Sequence, residues 1–517
     1  MSFKTFRYFQ NTGGLNLTFN DVLIDEREAE EVLNLHATSS GSWTTRNVGY
    51  KSLNPTNALA GGSLVGGLYE YRAPAGSTHF MAIAGDKIHT FEPATGAATL
   101  LYSGLTPNRR MHCTTFQGRW IGCNGADTPK VWDGVNPVGD LSNWPPTIAG
   151  ITPGAPSMTT IFANRLVFSG DANNPSVLYL SELENPDNFT PGTGATAAGA
   201  IQVSPGDGQR ITAIKSMYLP LESEEILVVF KERSTYMLTG SDADSFQLQQ
   251  VSDEFGAVSP HCVIRVGNDL LFLSEEGITS LSTATVQGNI TTNLLSTRIR
   301  PQMNTLNRSQ LSASHAAHLR HRQEVWWFVP DGSASQNQRV LVLHYGNNSG
   351  PTWSRRSGII AASSVVMNGT LYTGSYTGVV QQQMTGSSYD GAAIPWIYRT
   401  GFYDLGSPRL RKRVKDVEVF LKQLAELNVT VRTGWDIRRG STVRESRTLT
   451  VTPNTASTIY GAAYYNTDRY DAAGVSILKF IPSGSGRFFQ LEFNGQAANK
   501  PVELEGWTIT AIAGGPR

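Results

Sequence analysis

Three histidines, His315, His318 and His321, stand close enough in the chain to raise the question of metal ligation. Three converging neutral imidazoles hold zinc-type cations. On a strand, His315 and His321 would share a face and His318 would point away from it; on a helix all three would drift around one side. The next residues, Glu324-Val-Trp-Trp-Phe-Val329, read as a strand, so ordinary hydrogen-bonded histidines are expected and no metal. The acidic stretch Asp21, Asp25, Glu26, Glu28, Glu30 and Glu31 is expected to be a solvated face, because carboxylates in a run repel unless a cation organises them. Cys113, Cys123 and Cys262 match no CxxC spacing and are expected as reduced thiols in the core. Gly206-Asp-Gly208 lacks the partners of a phosphate loop, and neither a Walker sequence nor a G-x-S-x-G elbow occurs. No catalytic residue, metal or cofactor is therefore expected.

One further group could act through charge: Arg409, Arg411, Lys412, Arg413 and Lys415. Such a run either deters aberrant pairing at a strand edge or interface, or contributes to a ring of positive charge when several copies surround a channel. The sequence leaves both readings open.

The elements that would position these residues are short and β-rich. Among 517 residues there are 51 glycines and 25 prolines, spread throughout, which favours many brief segments separated by turns. Apolar strand-like pieces open successive units near Phe80, His112, Met158, Ile211, Cys262, His315 and Ile360, at intervals of roughly 32 to 54 residues, as in propeller repeats. Runs such as Ile226-Leu-Val-Val-Phe230 and Asp269-Leu-Leu-Phe-Leu273 suit strands buried on both faces. The fold expected is all-β: a β-propeller-like repeat domain of about six or seven blades over 64–394, an N-terminal β segment (1–63), and a C-terminal β domain (395–517) that joins it in a sandwich or platform. An open array of β-sandwiches is the alternative. Leu294 to Leu306, with Leu295, Ile299, Met303 and Leu306 near helical spacing, reads as a short connector helix containing Pro301.

Charge narrows the function classes. Forty-two acids balance forty-two bases, and only 16% of residues are charged, against about a quarter in a typical domain. A whole-molecule attraction to nucleic acid or anionic membrane is excluded, and so low a charge suits a subunit whose faces are covered by others. No apolar run reaches the ~18 residues of a membrane span.

Asn347-Asn-Ser-Gly-Pro-Thr-Trp353 resembles the Asp-box turn of sialidase-type propellers, with Asn348 where that motif has Asp. Three other places together resemble the tail nozzle (tail hub, or DNA-stabilisation) proteins of short-tailed bacteriophages. They are Asn11-Thr-Gly-Gly-Leu-Asn16 followed by Arg46-Asn-Val-Gly-Tyr50; Glu324 to Val329 with Arg339 to Tyr345 and Pro351 to Ser354; and Asn368 to Gly378 leading to Tyr398-Arg-Thr-Gly-Phe-Tyr403. The resemblance implies a homohexamer in the virion tail, synthesised in the bacterial host cytoplasm and mounted below the portal and adaptor rings, with tail fibres or spikes attached nearby. It further implies peripheral propellers and a central tube that retains double-stranded DNA without sequence preference and conducts it at ejection. Zero net charge agrees with a conduit, since many phosphate contacts would impede sliding. The competing expectations are a glycan-binding propeller adhesin of the tail and a propeller glycosidase.

Overall fold

A computed structural model describes residues 3–18, 24–38, 40–219, 224–282, 294–346, 350–423, 426–436, 445–451 and 475–513. Seven sheets follow one another around a ring. The first four have four antiparallel strands each: blade 1 spans Val65 to Ser103, blade 2 His112 to Asp140, blade 3 Met158 to Gln202 and blade 4 Gly-free innermost strand Ile211–Leu219 through Ser252. Blade 5 shows three strands among the described residues, from Ile264 to Ser280. Blade 6 runs from His315 to Ser357, and blade 7 from Ser363 to Gln383. Six of the seven blades thus open at or within three residues of the positions the sequence indicates. The exception is blade 1, where Phe80 lies in the second strand, Thr78–Ala84.

The strands of each blade are apolar on both sides because each blade is sandwiched between two others. Ile226, Val228 and Phe230 of blade 4 pack with Val263, Leu270 and Phe272 of blade 5, whereas Leu227 and Val229 face Met158, Phe162 and Val167 of blade 3. The same alternation continues around the ring, so every pair of neighbours has its own apolar core. Full burial of such a side chain contributes about 1.5–3 kcal/mol.

The ring closes non-locally. Tyr50–Ser52, which the sequence reading groups with the N-terminal segment, is the outer strand of blade 7, pairing antiparallel with Gln381 to Gln383. Gly49 makes the approach possible: a Cβ there would lie 2.2 Å from the carbonyl oxygen of Ser388.

The remaining strands form a two-layer platform. One layer runs Val475–Phe480, Lys412–Gln423, Val502–Ala513, with Phe3–Phe9 and Trp43–Thr44 sharing the far side of the last and His36–Ala37 beyond. The other continues out of blade 6: Thr352–Ser357 meets Glu28–Leu33, followed by Ile394–Thr400, Phe489–Ala497, Leu427–Trp435 and Glu445–Val451. Val417, Val419, Leu421, Trp507 and Ile509 of the first layer face Tyr398, Val429, Val431, Leu491 and Phe493 of the second. Propeller and platform are therefore hydrogen-bonded into one sheet at blade 6.

That seam uses the acidic stretch. Asp25 and Glu26 are exposed, as a solvated face would be, but the rest of the described stretch is not: Glu31 pairs with Arg355, Glu28 is buried against Asn16 (2.6 Å) and Arg298 (3.2 Å), and Glu30 accepts from Gln490 (2.7 Å). Each of these three carboxylates meets a cation or amide from another segment, which offsets the repulsion a run would suffer in isolation. Asp21 lies outside the described residues. The segment 294–306 is helical only in pieces, a 3-10 turn Thr297–Ile299 and one α-turn Arg300–Met303, with Ile299, Met303 and Leu306 buried. Pro301 sits in the first turn, where its missing N–H is not needed.

Candidate functional sites: platform face, buried charge cluster and propeller mouth

The basic run does not act as a unit. Lys412 begins the strand Lys412–Gln423 and is buried, its Nζ donating to the carbonyls of Asp404 and Arg487 (each 2.6 Å) and of Ser407. It ties three loop ends together, and its expected role in a channel or interface is corrected to a structural one. Strand alternation explains the difference: Lys412 and Val414 point inward, Arg411, Arg413 and Lys415 outward. Arg411 donates to the Ser485 carbonyl (2.9 Å), and Lys415 Nζ stands 4.8 Å from the centre of the Phe3 ring. Arg409 is exposed just before the strand. Lys412→Met is expected to cost about 1–3 kcal/mol, because three buried carbonyls lose their donor; Arg413→Ala should stay within about 0.5 kcal/mol. Urea unfolding of the two variants measures the contrast.

The outward side of this layer carries apolar rows. Phe9, Gly506, Phe420 and Ile477 are cross-strand neighbours over four strands, as are Phe3, Ile512 and Arg413 over three. Between them runs Arg7, Thr508, Glu418 and Lys479, with Lys479 Nζ 2.9 Å from Glu418 Oε1. Phe3 (53%), Phe9 (43%), Ile477 (59%) and Ile481 (58%) are among the large apolar side chains left exposed.

The histidines singled out in the sequence do not come together. His315 stacks on Phe328 (4.5 Å between centroids), His318 Nε2 lies 2.8 Å from the Tyr345 hydroxyl, and His321 is exposed on the turn Arg320–Arg322. A different trio converges instead. Glu324 opens the second strand of blade 6 fully buried; His36 Nδ1 lies 2.8 Å and His344 Nδ1 3.3 Å from its Oε1, and Trp326 Nε1 donates to Oε2 at 2.8 Å. The His36 contact is close in distance without a well-aligned hydrogen bond. Ligand atoms of these three residues lie within 4.8 Å of one another, a spacing that could hold a cation. Arg322 Nε, however, is 3.5 Å from the same oxygen, and the Arg356 guanidinium covers Trp326 at 4.3 Å. A divalent ion would have to enter beside two positive charges, so the trio reads as an internal charge cluster at the seam. Sequence reasoning missed it because its members are 288 and 20 residues apart, counted as 324 − 36 and 344 − 324.

The third feature is the propeller axis. Where the innermost strands of blades 2 to 6 begin, a cavity of about 520 Å3 is lined by Arg109, Arg110, Met158, Asp171, Arg210 and His261, among others. Below it the channel is plugged: Arg110 of blade 2 crosses to the carbonyls of Ala313 and Ser314 before blade 6 (2.8 and 3.1 Å), and the rings of His112 and His261 stand 5.4 Å apart. The three cysteines are free thiols, Cys123 and Cys262 buried; burial pushes Cys113 and Cys262 up to about 12, which leaves them protonated and unreactive. Of the Asp-box resemblance, Asn347 to Ser349 lie outside the described residues, while Thr352 and Trp353 start the outer strand of blade 6.

These features define a seven-bladed β-propeller fused through one blade to a β-sandwich platform. No family model matches the sequence, and no curated protein does. Solved structures similar to the chain include virginiamycin B lyase from Staphylococcus aureus (12% identity, 64% of this chain and 97% of that one, TM-score 0.39). BamB from Moraxella catarrhalis is similar over 69% of this chain and 94% of its own (14% identity, TM-score 0.35), and the WD40 β-propeller domain of Doa1 over 62% and 96% (9% identity, TM-score 0.35). One of these is an enzyme by name; at such identities the likeness concerns the propeller alone.

Proposed function

We propose that the chain is a structural, non-enzymatic subunit of a homohexameric tail nozzle of a short-tailed bacteriophage. In this reading it resides in the virion tail below the adaptor ring, beside tail fibres or spikes, and its ring encloses the double-stranded DNA that it retains and then conducts. The observation that carries the reading is the outward platform face. Its apolar rows, interleaved with a charged row, have the make-up of a subunit contact, and the strand Phe3–Phe9 pairs on only one side among the described residues. A second copy of the chain is the occupant that such a free strand and face suit.

The plugged propeller axis supports the same arrangement from another side, since DNA would have to pass between subunits and not through a propeller. Arg409, Arg411, Arg413 and Lys415 are then the members of the basic run available to a neighbour or to phosphates. The adhesin reading lacks comparable support, because no Trp, Tyr or Phe lines the axial cavity on which a sugar could stack.

Electron microscopy of the protein assembled with its adaptor ring is expected to show sixfold rings with an axial channel. The double variant Phe3→Asp/Ile477→Asp is expected to fold and remain unassembled. A monomer or trimer in particles without an axial channel would sink the proposal, as would rings that form unchanged from the double variant.

A further inference from the structure

The charges around the propeller axis are one-sided. Arg109 and Arg210 stand exposed at the rim of the mouth cavity, and Arg110 reaches across it. Deeper lie Lys215 of blade 4 and the imidazoles of His112, His261 and His315; protonation of His261 is opposed first by burial and then by Arg110, His112, His315 and Lys215. Among the described residues no carboxylate enters the balance of either Arg110 or Lys215: the acidic groups near Arg110 are the thiol of Cys262 and the phenol of Tyr376, and the neighbour of Lys215 is Arg265.

Among the residues lining the cavity, the one carboxylate is Asp171. Its oxygens are already engaged by the Gly154 and Asn173 amides (both 2.9 Å), Asn174 Nδ2 (2.8 Å) and the Tyr179 hydroxyl (2.7 Å), so its hydrogen-bonding capacity is spent on ordering the blade 3 loop and one carboxylate faces three guanidinium groups. Arg210 has Glu232 at 3.2 Å on the exposed side. Arg110 uses Nη1 for two carbonyls, and its Nε is buried without a hydrogen-bond partner. A buried guanidinium nitrogen with no acceptor is costly unless something else supplies one.

The backbone is shaped to hold these arginines there. The Met111 amide donates to the Gly66 carbonyl (3.1 Å), and a Cβ on Gly66 would lie 2.3 Å from the Arg109 carbonyl oxygen. The Arg109–Arg110 turn can therefore lie against the first strand of blade 1 only because residue 66 is glycine.

We propose that the mouth of the propeller is a binding site for a small oxyanion, a molecule bearing phosphate or carboxylate groups, held by Arg109, Arg110 and Arg210. The cavity has room for a compact organic acid or a phosphorylated metabolite. Planar guanidinium forks match both phosphate and carboxylate oxygens, which is why the chemistry and not one ligand is specified. Of the polar lining, Ser157 already donates to the Gly170 carbonyl (3.0 Å) and Asn124 to Asp127 (2.7 Å), whereas the Ser259 oxygen accepts from the His261 amide (3.3 Å) and its O–H can turn to a ligand. The site lies within one subunit and does not depend on the assembly proposed above.

Calorimetric titration of the full chain with inorganic phosphate, citrate and glucose 6-phosphate tests the proposal. The wild type is expected to bind at least one of them, and the arms separate phosphate from carboxylate preference. Binding should weaken with added salt and fall about tenfold in Arg109→Ala and about a hundredfold in Arg109→Ala/Arg210→Ala, both surface changes compatible with folding. Thermal melts in the same anions give a second readout, with stabilisation by ligand in the wild type and little in the double variant. Absence of binding to all three anions, equal binding by the double variant, or retention of a duplex oligonucleotide in place of the small anions would each overturn it.

Discussion

Glu324→Ala is expected to lower stability by about 3–5 kcal/mol, the loss that follows when one partner of a buried ion cluster is removed. The carboxylate is fully buried and faces His36, His344 and Arg322, with Arg356 beyond Trp326. Burial opposes its charge, but the close approach of the His344 and His36 imidazoles holds it well below the usual carboxylate range. Removing it leaves the half-buried Arg322 and the buried Arg356 without that counter-charge, at the place where propeller and platform join. Glu324→Gln keeps a hydrogen-bond acceptor for Trp326 and is expected to lose less. Urea unfolding of the three proteins checks the order wild type, Gln, Ala; an Ala variant within about 1 kcal/mol of wild type would show that the cluster contributes little.

The second large effect is acid lability above the range in which carboxylates titrate. Burial lowers His36 to about 4 and His112 to about 3, with Lys215 and Arg110 adding to the shift at His112; His261 and His315 are also held well below the ordinary imidazole value, again chiefly by burial. A base whose folded value lies below its unfolded value, about 6.5, binds more protons when unfolded. Its contribution is therefore complete above pH 6.5 and is lost as pH falls from there towards the folded value, at up to about 1.4 kcal/mol per pH unit for each histidine. With four such residues the melting temperature should drop between pH 6.5 and 5. Asp127 and Asp171, whose carboxyls are held below their ordinary range by hydrogen bonds that outweigh burial, add their losses only near and below pH 4. Melts at pH 7, 6 and 5 decide the matter, and a level profile over that interval would contradict it.

Much of the propeller is legible from local pattern. The apolar runs at Ile226 to Phe230 and Leu270 to Leu273 announce strands with two buried faces, and the turn residues between them set the beat of the blades. Blade 1 escaped this reading because its first strand opens Val65-Gly-Gly-Leu68, and the glycine that breaks the apolar run is the one whose missing Cβ admits the Arg109 carbonyl. Lys412 looked like one of five equivalent cations, although period-two alternation with Val414 already placed it on the inward side.

The β class, the repeat and the low, balanced charge can be read directly from the chain, because they depend on residue type and on spacing within one or two strands. It takes the folded molecule to show that Tyr50–Ser52 closes the ring, that blade 6 runs on into the platform, that Glu324 gathers His36 and His344, and that Arg110 spans the axis to Ala313. Those contacts join segments far apart in the chain. Their partners are chosen by how blades pack around an axis, which no local periodicity records.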